Sequence, residues 1–305
     1  MNNLVKFGVK IVQKGYQMDQ IASLCLAAEQ MGFDSFWVAD HMYSWGRKPT
    51  NEPALECWTL LSALSTMTKT VRLGSLVVCQ LLRHPALLAK MTSTLDVLSG
   101  GRLNFGIGAC GPSTPTELRG FGLPFPKRAE RLERLGETLE ILKSMWTKER
   151  TNYSGKHFIL TDVLNSPKPV QKPHPPILIG GEREDILKLA AKYADLWNCR
   201  RLGLEEFGIK ANHLNSYCSS NGRTSSTLVK SWQGSIMIAR SDLELQEKMK
   251  RYPPEEGMMI GTPEDITEKI RGYVDAEAGY FMFHFQDDSN NQSLELFADH
   301  VMTNF

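Results

Sequence analysis

The chain has no C-x-x-C pair, no internal repeat, no low-complexity tract and no long block of single-sign charge. It also lacks any run of about twenty apolar residues, the length a membrane-crossing helix needs. Each absence removes a class of function. Its six cysteines, Cys25, Cys57, Cys79, Cys110, Cys199 and Cys218, are scattered. With the seven histidines not clustered near them, no structural zinc site is expected and no metal is assigned. The 35 basic and 34 acidic side chains leave a formal charge of +1, so neither a nucleic-acid footprint nor a membrane surface is expected. No leader peptide stands out, and scattered cysteines suit a reduced compartment, so the reading is a cytoplasmic protein acting on small molecules.

What is present is alternation. With 42% hydrophobic content, the 305 residues suffice for one large core and a single domain over 1–305. Short apolar runs near 4–11, 34–40, 71–78, 103–109, 177–181, 195–199, 229–238 and 280–285 read as eight strands. Helical patterns follow each, near 19–31, 56–67, 85–98, 126–147, 182–193, 204–220, 263–275 and 293–303. Strands that alternate with helices in this way give an α/β fold, a (β/α)8 TIM barrel with insertions at its C-terminal face. One interruption, after Trp146, reads as a glycine-turned hairpin and a connector in which Pro167, Pro169, Pro173, Pro175 and Pro176 forbid a helix. The other, between Ile238 and Ile260, reads as a short charged helix ending at Pro253 and is placed over the substrate as a lid.

The most informative stretch is "LRHPALLAKMTSTLDVLSGGRLNFGIGA", residues 82–109. Leu87, Leu88, Met91, Leu95 and Leu98 fall at helical spacing, and Gly100 and Gly101 end the helix. A buried strand follows, in which Gly106 and Gly108 permit close approach of backbone or ligand. Asp40 and His41 close the second strand, on the rim where barrel enzymes keep their chemistry. Imidazole exchanges a proton near neutral pH, although a lone strand-end histidine is also commonly structural. The stretch after Ala109, "CGPSTPTELRGFG", reads as a loop, and its Glu117 reads equally as a solvated helix-start acid or as a catalytic one. Cys79 and Cys110 fall on rim loops, where an idle or buried thiol is the usual case. Gly180 and Gly181 close the fifth strand and open a helix, an arrangement that attracts phosphate. Three acids follow, Glu182, Glu184 and Asp185, and Arg183 is the residue expected to offset them.

Together with "FDSFWVADH" at 33–41, "LECWTLLSALS" at 55–65 and "SPKPVQKPHPPILIGG" at 166–181, this stretch resembles the bacterial luciferase-like flavin and deazaflavin oxidoreductases. The resemblance runs from about residue 4 to the C-terminus and is strongest over the first two thirds. It implies that His41 is the proton donor or acceptor, that Asp40 orients it, and that Trp45, four residues on, stacks over the pocket. It implies a non-prolyl cis bond between Leu76 and Val77, behind the ring of the cofactor. It further implies that the cofactor phosphate rests on backbone at Gly108 and Ala109 and at Gly180 and Gly181, with Arg183. The runs "YADLWN", "GTPEDITEKI" and "RHPALLAK" look most like members that use coenzyme F420 for hydride transfer to a small organic substrate. Two rivals stand beside this: a monooxygenase using FMN, and a cofactor-less barrel with a binding role, suggested by the short acidic loop at 180–185. A homodimer is compatible with the resemblance.

Overall fold

The computed structural model describes residues 5–43, 51–111, 114–286 and 291–305. Its strands are β1 (Lys6–Lys10), β2 (Ser35–Val38), β3 (Arg72–Ser75), β4 (Val78–Cys79), β5 (Leu103–Gly108), β6 (Arg150–Ser154), β7 (Ile159–Leu164), β8 (Ile177–Gly180), β9 (Leu196–Arg200), β10 (Val229–Ile238), β11 (Met259–Gly261) and β12 (Ala278–Phe285). The main sheet runs β11-β10-β12-β1-β2-β3-β5-β8-β9, and β9 pairs back to β10. The sheet therefore closes, with parallel pairing at β1–β2, β1–β12, β3–β5, β5–β8, β9–β10 and β10–β12. With helices following the strands, this is a (β/α)8 TIM barrel.

The expected elements are present, with three corrections. The strand expected over 71–78 is two pieces, because the Leu76–Val77 peptide bond between β3 and β4 is cis, as the resemblance implied. The three-residue β11 was not expected. Third, the stretch after Ala109 is not all loop: Thr114–Gly120 is a helix, with Pro115 in its first turn, where a missing N–H costs nothing. The hairpin after Trp146 is β6 and β7, antiparallel around Gly155. The charged helix of the second insertion spans Asp242–Arg251 and buries no residue.

By contact density the chain falls into two units, one of Met1–Ile11, Ser23–Trp37 and Gly180–Phe305, the other of Val12–Ala22 and Val38–Ile179. In the first, β12 is apolar on both faces, as a strand covered on both sides must be. Tyr280, Phe281, Met282 and Phe283 are all buried. The Phe281 and Phe283 rings continue into Phe7, Phe33 and Phe297 at centroid distances of 5.2 to 6.0 Å. In the second, Phe105 of β5 packs edge-on to Trp146 at 5.5 Å, and Leu88, Leu139 and Leu142 are fully buried in the same unit. Gly106 must be glycine here, since a Cβ would overlap the Ser75 carbonyl of β3. Gly100 and Gly101, at φ 64° and 83°, end the helix Pro85–Leu98 in the left-handed conformation.

Candidate functional site

The end of β2 is held by a side chain that imitates a strand. Gln13 donates from Nε2 to the Ala39 carbonyl at 2.7 Å, and its Oε1 accepts the Ala39 N–H at 3.0 Å. The next residue, Asp40, is 2% exposed. Its carboxylate accepts two hydrogen bonds from Arg83, at 2.7 and 3.0 Å, and one from the Cys79 N–H at 3.2 Å. Arg83 also pairs with Glu56, which caps the helix Cys57–Met67 by accepting the Trp58 and Thr59 N–H groups. His84, beside Arg83, caps the next helix through the Ala86 N–H. Burial raises the Asp40 pKa against the pull of Arg83. For Glu56 burial also pushes upward, but the Thr59 and Trp58 donors outweigh it and the pKa is lowered. Asp40 thus ties three rim segments together, β2, β4 and the Arg83 turn.

The sequence reading has Asp40 orient His41, while the hydrogen bonds Asp40 accepts come from Arg83 and the Cys79 N–H. Consecutive residues leaving a strand point to opposite sides, so the two side chains serve different partners. His41 Nδ1 lies 2.9 Å from Glu117 Oε2, and the other Glu117 oxygen accepts the Met42 N–H. Glu117 is 5% exposed and is not a solvated acid. Burial pushes its pKa up, but the His41 ring and the Met42 N–H outweigh this, and it is lowered. An ionised carboxylate only accepts, so Nδ1 of His41 carries its proton and donates. In that tautomer Nε2 is the ring's basic nitrogen. The Thr114–Gly120 helix that delivers Glu117 is seated on the 41–43 segment. Tyr43 meets Phe121 at 5.5 Å, and its hydroxyl fills the space a Cβ on Gly120 would need. Trp45 lies outside the described residues.

The cysteines depart from the fully reduced expectation. Cys79 and Cys110 form a disulfide, with Cα atoms 5.2 Å apart. Spacing hid it, because the two are 31 residues apart and meet only through parallel pairing of β4 with β5. Leu76 and Val77 precede Cys79, and Gly108 and Ala109 precede Cys110, so these four sequence-predicted residues are brought together in one unit.

Gly180, Gly181 and Arg183 belong to the other unit. Gly181, at φ 134°, donates to the Asn198 carbonyl at 2.9 Å. Arg183 is the N-cap of the helix Glu184–Tyr193, yet its side chain makes no capping bond. Glu182 accepts the Arg200 N–H at 2.7 Å. Glu184 is taken by His213, Tyr217 and Lys210, whose hydrogen bonds, His213 first, hold its pKa down to about 2. With those two acids turned aside, an uncapped helix start beside an exposed arginine fits the phosphate of a flavin-type cofactor.

Sequence reasoning missed a cationic cluster in that same unit. Lys10, the last residue of β1, is 8% exposed, and its ammonium has no hydrogen bond or ion pair among the described residues. Burial, with Arg200 and Arg201 next, lowers its pKa to about 7 against the opposing Glu255. Arg201 donates to Ser235 Oγ at 2.9 Å and pairs with Glu255, while its Nε is buried without a partner among the described residues. His284, brought down to about 4 by burial and then by Lys10, is neutral and donates from Nδ1 to the Lys10 carbonyl at 3.2 Å. A lysine in an otherwise buried strand and the Arg200-Arg201 doublet were the available signals.

The luciferase-like monooxygenase family profile matches residues 4–255. An F420-dependent glucose-6-phosphate dehydrogenase of Nakamurella multipartita is 25% identical, over 98% of this chain and 96% of its own length. Among solved structures, an F420-dependent secondary alcohol dehydrogenase in complex with an F420-acetone adduct superposes with a TM-score of 0.84 at 18% identity, covering 97% of this chain and 98% of that one. A long-chain alkane monooxygenase gives 0.85 at 17% identity, over 100% and 91%. At these identities the structural likenesses speak for the fold.

Proposed function

Because this chain belongs to the luciferase-like monooxygenase family, we propose that it is an oxidoreductase passing a hydride between coenzyme F420 and a small organic substrate. The observation that carries this reading is the His41–Glu117 pair at the end of β2, in a chain that matches F420-dependent dehydrogenases along nearly its whole length. Bound F420 would supply a carbon hydride donor or acceptor that does not readily activate oxygen. The protein's own residues do the rest. In the unit that holds His41, the Leu76–Val77 backbone backs the ring and the backbone at Gly108 and Ala109 gives polar contacts; in the other unit, Gly180, Gly181 and Arg183 form a phosphate site of their own. His41 accepts at Nε2 the proton of the substrate hydroxyl as hydride leaves the adjoining carbon, or returns that proton to the carbonyl oxygen as hydride arrives, with Glu117 fixing the tautomer. Anaerobic turnover tests the reading: substrate-dependent change in the visible absorbance of the F420 ring, with no consumption of oxygen. Oxygen uptake coupled to turnover of FMN would replace it with a monooxygenase.

In the other unit, Lys10 with Arg201 makes a site for a small anion. A buried ammonium without a partner among the described residues is costly, and a phosphate ester or carboxylate would relieve it. The named activity of the Nakamurella multipartita relative is of this class. One consequence is a proton count. Since Lys10 titrates at about 7 without an anion, and an adjacent anion favours its charged form, binding above pH 7 takes up a proton. Affinity therefore falls as pH rises beyond that value. Calorimetry of a phosphate ester at pH 8, in two buffers of different ionisation enthalpy, should show this uptake. In Lys10→Met the uptake should vanish and binding weaken roughly ten- to a hundredfold, the scale of a charge-assisted hydrogen bond. Heats independent of the buffer would contradict the assignment.

A further inference from the structure

The Cys79–Cys110 disulfide sits between the two carboxylates that organise the site. Cys79 ends β4, and its own N–H donates to Asp40 at 3.2 Å. Cys110, at φ 64°, stands where the chain leaves β5 for the helix Thr114–Gly120 that delivers Glu117 to His41. The chain is anchored up to this point without the disulfide. Val78 pairs with Ile107, Cys79 pairs with Gly108, and the Ala109 carbonyl accepts a bond from Arg131 Nε at 2.9 Å. Beyond Ala109 the crosslink is what fastens the segment to β4. The other four cysteines, Cys25, Cys57, Cys199 and Cys218, are buried and in no disulfide, whereas Cys110 is half-buried.

We propose that Cys79–Cys110 is a thiol–disulfide modification site whose state sets the His41–Glu117 pair. The co-reactant is a small thiol. Its thiolate attacks Sγ of Cys110 and breaks the S–S bond, and Cys79 leaves as a thiolate that takes up a proton. A second thiol displaces the first, so the protein gains two electrons and two protons and the reductant departs as its own disulfide. Opening the link leaves β4 and β5 paired but removes the covalent tie between β4 and Cys110, seven residues before Glu117, so the Glu117 carboxylate shifts against the His41 ring. A ring displaced by a fraction of an ångström loses rate, here about tenfold in turnover. That loss of rate rests on the proposed role of His41; the thiol count and the state of the imidazole do not.

The test uses the cofactor-free protein isolated in air. Alkylation in denaturant followed by intact mass should give four adducts without reductant and six after dithiothreitol. In the native protein labelled with 15N-histidine, the Nδ1–H signal of His41 should be present when oxidised and broadened or lost when reduced, with the other histidines unchanged. Glu117→Gln should lose that signal in both states. Cys110→Ser should match the reduced protein, and if it does not fold, reduction of the unaltered chain carries the comparison. Six adducts without reductant would overturn the proposal. So would four rising to six with the His41 signal unmoved.

Discussion

His41→Ala lowers turnover by about a hundredfold or more and leaves folding almost untouched, the range expected when a general acid or base is removed. The ring is only partly buried, its side chain 25% exposed, so its loss opens no core cavity. Glu117→Gln has a smaller and more diagnostic effect. The amide keeps the volume but not the charge that obliges Nδ1 to carry the proton, and it weakens the acceptor for the Met42 N–H. Turnover should fall about tenfold with KM little changed, because the group acts through His41 rather than on the substrate. Because the Glu117 pKa is lowered on folding, its contribution to stability is present above the ordinary carboxylate range and lost as pH falls through its depressed value. The variant should therefore show a shallower loss of stability in acid. Steady-state kinetics beside urea unfolding would check both statements, and a His41→Ala enzyme with ordinary turnover would make the ring peripheral.

Asp40→Ala is expected to be the most destabilising polar substitution at the rim. Asp40 and Arg83 expose only 1% and 9% of their side chains, and removing one partner of a buried pair costs about 3 to 5 kcal/mol. Arg83 retains Glu56, so the lower end, about 3 kcal/mol, is expected. The raised Asp40 pKa is consistent with this: burial outweighs the attraction of Arg83, so the pair gives little net stability intact yet is costly to break. Arg150 and Asp162, exposed by 52% and 60%, give the contrast, and disrupting them should cost under about 1 kcal/mol. Urea denaturation with unchanged m-values would measure both. Equal costs for the two pairs would contradict the buried network.

The barrel was legible because its signal is repeated: each strand is a short apolar run and each helix a 3.6-residue pattern, from "FGVKI" through "YFMFHF". The cis bond at Leu76–Val77 was legible only through the resemblance, since nothing in two apolar residues marks it. The site was half legible. His41 announces itself by its place at a strand end, but its partner Glu117 lies 76 residues away, on a short helix whose own Pro115 and Gly120, with Pro112 just before it in sequence, read as breakers. Asp40 was assigned to its neighbour in sequence when its partner is Arg83, a contact made by folding. Lys10 was concealed by its strand: in a 6–10 run with four buried positions, a lysine reads as an edge residue until the chain closes around it.

Binding of the cofactor is the claim on which the rest depends, and an equilibrium titration of the purified protein with oxidised F420 and, separately, FMN, followed by ring fluorescence, measures it before any substrate is known. F420 should bind saturably, at least tenfold tighter than FMN, and added salt should weaken it as a phosphate held by Arg183 requires. Tighter binding of FMN, or saturable binding of neither, would contradict that claim.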